Sequence, residues 1–121
     1  MTLLRFPIKM TSRIAGYVAK KKLARTERFP MVLMLEPLHA CNLTCTGCGR
    51  IREYESTIKQ KLSIDECLAA VDECGAPVVS ICGGEPMIYP GIGELTAKIL
   101  ERKKVVYLCT NGMFIHRSSL N

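Results

Sequence analysis

The 121-residue sequence lacks the features that mark membrane-spanning and secreted proteins. It has no apolar run approaching the roughly 20 residues that a membrane-spanning helix requires, which excludes a bilayer span. Its N-terminus has neither the apolar stretch nor the small-residue cleavage site of a signal peptide. Internal repeats and low-complexity tracts are absent too. With 48% hydrophobic and 23% charged residues, we expect a globular, cytoplasmic protein.

Acidic residues are scarce at the start of the chain. Residues 1–30 hold a single acid, Glu27, against eight basic side chains, whereas residues 31–121 have a net charge of −1. Such a basic segment suits an anionic lipid surface, nucleic acid or plain solvent. We expect no nucleic-acid partner and treat peripheral contact with the inner face of the membrane as a hypothesis. The eight basic residues are Arg5, Lys9, Arg13, Lys20, Lys21, Lys22, Arg25 and Arg28.

Seven cysteines are many for a chain of this length. Seven is odd and no secretion signal is present, which argues against a disulfide framework. In a reducing cytosol, clustered cysteines more often indicate metal or redox chemistry. Cys67 and Cys74 are seven residues apart in a helical pattern, and we interpret them as small buried apolar residues.

The pattern of apolar residues predicts alternating strands and helices after a first helix. The capping box at Ser63–Glu66 marks a helix start, and Gly75 suits its end. Short apolar runs bounded by Pro and Gly predict buried strands. In chain order we predict a helix at 11–23, a strand at 31–35, a polar loop to Leu62, a helix at 63–75, a strand at 77–82, a helix at 92–102 and a strand at 104–109.

This alternation is typical of parallel βαβ units in an α/β fold. Three strands and two crossover helices make half of a barrel or part of an open sheet. No helix follows the third strand, which would leave an apolar parallel edge unpaired. We therefore divide the chain into a basic N-terminal helix and lead-in, residues 1–29, and the N-terminal part of a larger core domain, residues 30–121.

Three cysteines, Cys41, Cys45 and Cys48, lie in the loop that follows the first strand. Loops at the carboxyl ends of parallel strands form the active face of such folds. Three thiolates can hold three irons of a 4Fe-4S cluster, leaving the fourth iron open for chemistry. Structural zinc would need a fourth ligand, and His39 is too close in sequence for the usual spacing. A two-cluster ferredoxin would show C-x₂-C-x₂-C-x₃-C, which is absent. Chance clustering is the remaining alternative.

The second and third strands also end in polar motifs. Gly83, Gly84, Glu85 and Pro86 follow the second strand, and Cys109-Thr-Asn-Gly112 closes the third. By itself each motif could be an ordinary turn. Cys109 is either a small buried residue or a thiol that faces the pocket. In an extended strand its neighbour Leu108 points to the opposite face.

The C-x₃-C-x₂-C loop resembles the signature of the radical S-adenosylmethionine (AdoMet) superfamily. Members bind AdoMet at the open iron of a 4Fe-4S cluster and cleave it to a 5′-deoxyadenosyl radical. The resemblance implies the N-terminal half of a partial (β/α)6 barrel and an electron donor such as flavodoxin or ferredoxin. It also implies AdoMet contacts by the glycine-rich motif, Gly83, Gly84, Glu85 and Pro86, and by Asn111. The superfamily commonly has an aromatic residue before the last cysteine, where this chain has Gly47.

Residues Tyr17 through Asn111 resemble the hopanoid-biosynthesis branch of that superfamily, in which Gly47 is ordinary. The resembling stretches are residues 30–38, 45–49, 62–81 and 106–111. The resemblance implies that the 5′-deoxyadenosyl radical adds to the alkene of diploptene to form adenosylhopane. We predict that Cys109 donates the hydrogen atom that ends this reaction. Two alternatives remain open, namely a different radical AdoMet enzyme, such as a peptide or cofactor maturase, and a metal-binding module without activity.

Overall fold

The computed structural model describes residues 7–49 and 55–115. Arg5 of the basic segment, residues 50–54 after the three loop cysteines and the last six residues lie outside the described residues. The elements, in chain order, are α1 (Ile8–Leu23), β1 (Val32–Leu35), α2 (Ile64–Cys74), β2 (Val78–Ile81), α3 (Ile92–Glu101) and β3 (Val105–Leu108), with short 3₁₀ helices at Glu55–Thr57 and Pro86–Ile88.

The ends of helix α2 confirm the predicted caps. The hydroxyl of Ser63 accepts a hydrogen bond from the Glu66 backbone N–H at 3.2 Å. The Glu66 carboxylate in turn accepts one from the Ser63 N–H at 2.7 Å. These bonds satisfy amide groups that a helix start otherwise leaves without partners. At the other end, Gly75 adopts a left-handed conformation with φ 67°, which glycine tolerates without a steric penalty.

The three strands form one parallel sheet in the order β1-β2-β3. Val32 pairs with Val78, which pairs with Val105, and the register continues unbroken to Leu35, Ile81 and Leu108. This confirms the predicted α/β class with parallel strands joined by helical crossovers. Because all three strands run the same way, the cysteine loop, the glycine-rich motif and the Thr-Asn-Gly turn begin at the same edge of the sheet.

One face of the sheet is covered by α2 and α3. Side chains from alternate strand positions pack there against both helices, and burial of this apolar surface is the main source of stability that holds the strand ends in register. The packed residues include Leu35, Val79 and Ile81 from the strands and Cys67, Leu68, Val71, Leu95 and Ile99 from the helices. Cys67 is fully buried, as predicted, whereas Cys74 is half-buried.

The opposite face of the sheet, which we call the open face, carries the remaining strand positions. Val32, Met34 and Tyr107 project from it, and these side chains are 50%, 68% and 48% exposed. Ser80, between Met34 and Tyr107 in the register, is half-buried. On the open face, Val32, Met34 and Tyr107 are therefore accessible, whereas Val78 and Val105, which lie in register with Val32, are buried.

Helix α1 is basic at its C-terminal end, as predicted, and has no buried residue. It begins three residues earlier than predicted because the carbonyl of Pro7 accepts from the N–H groups of Met10 and Thr11. The Tyr17 ring packs edge-on against Phe29, and its hydroxyl donates to the Pro30 carbonyl at 2.8 Å. None of the helices in the described parts of the chain is long and apolar enough to cross a membrane.

Candidate functional site

The three cysteines of the loop after β1 are accessible in different degrees. Cys41 and Cys45 are exposed and Cys48 is half-buried, and none of the three forms a disulfide. A turn closes the loop, in which the Cys48 N–H donates to the Cys45 carbonyl at 3.0 Å. Near its start, the Leu43 N–H donates to the Cys41 sulfur at 3.5 Å. The loop therefore offers three thiols that an external metal group can reach.

The three thiols of the loop meet the ligand requirement of a cubane cluster. Within residues 7–49 and 55–115, no group of three or more His, Cys, Asp or Glu side chains is arranged to hold one ion. His39, the residue that could have completed a zinc site, directs its Nδ1 to the carbonyl and hydroxyl oxygens of Thr57, both at 3.1 Å. A cubane cluster requires one thiolate for each of three irons, and a loop with three spaced thiols meets that requirement.

Gly83 and Gly84 are required by the close approach of two chain segments. A Cβ atom on Gly83, which has φ 122°, would lie 2.5 Å from the Leu38 carbonyl oxygen, and one on Gly84 would overlap the Ala40 carbonyl. The backbone N–H groups of Gly84 and Glu85 donate to these same two carbonyls at 3.2 and 2.9 Å. The glycine-rich motif is therefore fastened to the segment that leads directly into Cys41.

Glu85 is a buried carboxylate with three hydrogen-bond donors around it. Its side chain is 1% exposed. It accepts from the Thr110 hydroxyl at 2.6 Å, the Asn111 N–H at 2.8 Å and the Met87 N–H at 2.9 Å. Burial alone raises the pKa of Glu85, but these three donors outweigh it and hold the pKa below the ordinary value of 4.5. The carboxylate is therefore ionised at neutral pH and ties the end of β2 to the end of β3.

Asn111 and Pro86 occupy defined positions beside Glu85. The Asn111 side chain accepts from the Met113 N–H at 3.1 Å and donates to Asn42 at 2.9 Å. Pro86 is buried as the first residue of the 3₁₀ helix that follows Glu85. The residues assigned to AdoMet contact from the sequence thus lie together at one edge of the sheet, adjacent to the cysteine loop.

Cys109 lies one residue beyond β3 and is exposed. Its N–H donates to the Ile81 carbonyl at 2.9 Å, which continues the ladder. Its sulfur is 3.5 Å from the Ser80 hydroxyl, so the thiol shares the open face with Ser80. Leu108 lies on the other face, in an apolar cavity of about 460 Å³ beside α3. The alternation predicted for these two residues is therefore observed, and the buried alternative for Cys109 is not.

Three residues of this site carry no signal in the sequence analysis. Asn42 lies between Cys41 and Cys45, which are the candidate ligands of that loop. Thr110 belongs to a motif typical of a turn, and Ser80 lies within an apolar strand. Each is identified only by its hydrogen-bond partner in the fold, because those partners lie 25 to 69 residues away in the chain.

Known proteins share this arrangement of sequence and fold. Residues 35–120 match the family model of the radical SAM superfamily. The chain is 31% identical over 94 residues to PqqA peptide cyclase from Granulibacter bethesdensis, covering 75% of this chain and 25% of that protein. It is 32% identical over 105 residues to GTP 3′,8-cyclase from Chlorobaculum tepidum, covering 80% of this chain and 31% of that protein.

The fold resembles SuiB from Streptococcus suis in two crystal structures, one bound to its precursor peptide SuiA and one bound to S-adenosylmethionine. The TM-scores are 0.61 and 0.58 at 27% and 26% identity, covering 97% and 99% of this chain and 27% of the SuiB chain in each case. The chain thus spans between a quarter and a third of the relatives named here. The radical SAM family uses a 4Fe-4S cluster and S-adenosylmethionine, and this chain belongs to that superfamily.

Proposed function

We propose that the chain forms the cluster- and AdoMet-binding part of an enzyme of hopanoid biosynthesis, which joins the 5′-deoxyadenosyl group to diploptene. The proposal is supported by the resemblance of residues 17–111 to the hopanoid branch, including Gly47 before the last cysteine. The whole protein would yield adenosylhopane, consuming AdoMet as a substrate. A ferredoxin or flavodoxin would supply the electrons.

Cys41, Cys45 and Cys48 are the proposed cluster ligands. A bound, reduced cluster supplies the electron that cleaves AdoMet to methionine and a 5′-deoxyadenosyl radical. In the proposal the Gly83–Pro86 segment receives the methionyl end of AdoMet, and Asn111 lies beside its nucleoside. Because the Glu85 carboxylate already accepts three hydrogen bonds, its part is to hold the glycine-rich segment and Asn111 in place.

The observation that best supports a hydrocarbon substrate is the composition of the open face. Met34 and Tyr107 are exposed there next to the Cys109 thiol. A surface formed by a methionine, an aromatic ring and one thiol, with the Ser80 and Tyr107 hydroxyls as its other polar groups, suits a substrate whose only functional group is an alkene. Burying such a substrate against these side chains gains about 25 cal/mol for each Å² of apolar surface removed from water.

Cys109 is the proposed hydrogen-atom donor. Addition to the alkene leaves a tertiary carbon radical, and a thiol S–H bond is weaker than the alkyl C–H bond that replaces it. The S–H bond of Cys109 breaks and a C–H bond forms at that carbon. The thiyl radical left on sulfur returns to a thiol by taking one electron from the ferredoxin or flavodoxin and one proton from solvent.

Peptide or cofactor maturation is the second candidate function. It is favoured by the names of the relatives, since one is a peptide cyclase, another a GTP cyclase, and SuiB is bound to its precursor peptide. Under this alternative the open face would receive a peptide or a nucleotide in place of the hydrocarbon.

The two functions are separated by one assay on the anaerobically reconstituted, dithionite-reduced whole protein. With AdoMet and diploptene we expect adenosylhopane by mass spectrometry, formed in step with methionine. Release of 5′-deoxyadenosine at the same rate with and without diploptene, and no adduct, would show that diploptene is not the substrate. That result would leave the superfamily assignment intact.

A further inference from the structure

A line of hydrogen bonds crosses the ends of all three strands. It begins at the buried carboxylate of Glu85, after β2, which accepts from the Asn111 N–H after β3 at 2.8 Å. The Asn111 side-chain amide then donates to the Asn42 side-chain oxygen at 2.9 Å. Asn42 immediately follows Cys41 in the loop after β1. The line therefore ends beside a proposed cluster ligand.

One backbone group determines the direction of both amides in this line. The Met113 N–H donates to Asn111 Oδ1 at 3.1 Å, so Asn111 must turn its NH₂ group toward Asn42. Asn42 must therefore present its oxygen to Asn111, because a carboxamide has one accepting and one donating end. The remaining NH₂ group of Asn42 lies 3.3 Å from the Met113 sulfur. Both ends of the Asn42 side chain thus contact the loop after β3.

Ala40, just before Cys41, is already held by the Glu85 N–H. Within residues 41–48 the other hydrogen bonds given above connect near neighbours, whereas the Asn42–Asn111 bond joins residues 69 positions apart. Cys41 and Cys45 are exposed, so little packing restrains the loop. A bond from the loop to a strand end that is itself anchored on a buried carboxylate limits where Cys41 can lie.

We propose that Asn42 is a positioning residue that fastens the cysteine loop to the loop after β3. It fixes the distance between the cluster ligands and the AdoMet-facing residue Asn111. The inference rests on the proposed ligand role of Cys41, Cys45 and Cys48 and on the proposed AdoMet contact of Asn111, and it does not depend on the identity of the substrate. Asn42 acts in this role through its bond with Asn111 and through Cys41, whose sulfur lies 4.0 Å from Asn42 Oδ1.

The test compares Asn42→Ala with the unaltered protein after anaerobic reconstitution. Because all three cysteines remain, we expect full iron and sulfide content. We expect iron release to a chelator to be about three- to tenfold faster, the range that one or two hydrogen bonds are worth. The AdoMet-induced change in the EPR spectrum of the reduced cluster should require a several-fold higher AdoMet concentration. Gln60→Ala removes an exposed amide outside this line and should change neither quantity.

A double-mutant cycle decides whether the Asn42–Asn111 bond is responsible. In the absence of AdoMet, Asn111→Ala should accelerate iron release, and the double variant should release iron no faster than the faster single variant. Wild-type release and an unchanged AdoMet titration in Asn42→Ala would overturn the proposal, as would additive effects in the double variant. Neither readout uses diploptene, so a failed adenosylhopane assay leaves this result valid. If the unaltered protein takes up no cluster, the ligand assignment and this inference both fail.

Discussion

The carboxyl ends of the strands and helix α1 are held in the molecule by different kinds of contact. At the strand ends, hydrogen bonds from Thr110 and Asn111 to Glu85, and from Asn111 to Asn42, join residues that are 25 to 69 positions apart in the chain. Helix α1 contacts a segment that follows it closely, through Tyr17 on Phe29 and the Pro30 carbonyl. The long-range bonds fix the relative positions of the three loops that would hold the cluster and AdoMet. The local contacts of α1 leave its outer surface available to contact a membrane or another molecule.

The strongest test of this difference removes a cluster ligand. Cys45→Ala should abolish the 4Fe-4S absorption and lower iron and sulfide after anaerobic reconstitution, because two remaining thiolates cannot hold the cluster. Cys74→Ala is the matched control, since it changes a half-buried cysteine of α2, and it should retain the cluster. Full iron and sulfide in Cys45→Ala would show that the loop is not the cluster site.

The next largest effect is expected at Cys109, on the open face. Cys109→Ser cannot donate a hydrogen atom readily, because its O–H bond is stronger than the S–H bond. The variant should bind the cluster and cleave AdoMet, yet make at least about tenfold less saturated adduct. This corresponds to an activation free energy for hydrogen-atom transfer that is higher by about 1.4 kcal/mol or more. Added thiol should restore part of the yield. Measurement of 5′-deoxyadenosine and adenosylhopane in one sample separates cleavage from quenching.

Ser80→Ala is the control for the Cys109 variant, because it removes the hydroxyl 3.5 Å from the thiol and leaves the thiol itself. It should retain most of the adduct. Unchanged adenosylhopane yield from Cys109→Ser without added thiol would exclude the donor role.

Glu85→Gln tests the buried anchor between β2 and β3. An amide has one accepting oxygen, so its NH₂ group would face one of the donors that now bond to the carboxylate. We expect a loss of about 3 kcal/mol in the free energy of unfolding at pH 7, the scale of a buried charged acceptor with its partners left unpaired. Denaturant unfolding measures this loss. Glu94→Gln, in the exposed ion pair with Lys98, should change stability by less than about 1 kcal/mol.

The same carboxylate predicts a pH dependence. The pKa of Glu85 is held below 4.5 in the folded protein, so its contribution to stability is fully present above that pH and is lost as the pH falls through the lower folded value. The difference between the unaltered protein and Glu85→Gln should therefore shrink on acidification below pH 4.5. A difference that stays constant until the unaltered protein unfolds in acid would contradict the ionised anchor.

Much of the fold follows from apolar periodicity and cap residues in the sequence. The three strands lie within one or two residues of their predicted limits, and the Ser63 capping box is present as predicted. The alternation of Leu108 and Cys109 could be predicted because a strand has a period of two. The antiparallel bridge between Leu38 and Lys61 was not predicted, since it forms inside a polar segment without periodicity.

The site itself could be predicted as a set of motifs but not as a network. Parallel topology places three motifs at one edge, which the order of strands and helices already implies. The pairing of Glu85 with Thr110, and of Asn42 with Asn111, depends on side-chain directions in three separate loops. Spacing within one motif carries no information about these directions.

The smallest expected effect concerns α1, the locally held region. Tyr17 of this helix packs on Phe29, whereas Ile8, Leu23, Lys20 and Lys22 are exposed, and the contribution of charge can be tested at the two lysines. We propose peripheral binding to anionic lipid. Each of Lys20→Gln and Lys22→Gln should weaken partitioning onto phosphatidylserine-containing vesicles by about fivefold, since a cation near such a surface contributes about 1 kcal/mol. Flotation at rising salt should show the difference fade, because salt screens exposed charges. Lys103→Gln, in the turn before β3, is the matched control and should bind normally. Cluster content should be the same in all variants. Equal vesicle binding by all variants, or equal binding to neutral and anionic vesicles, would mean that the basic end of α1 is only solvated.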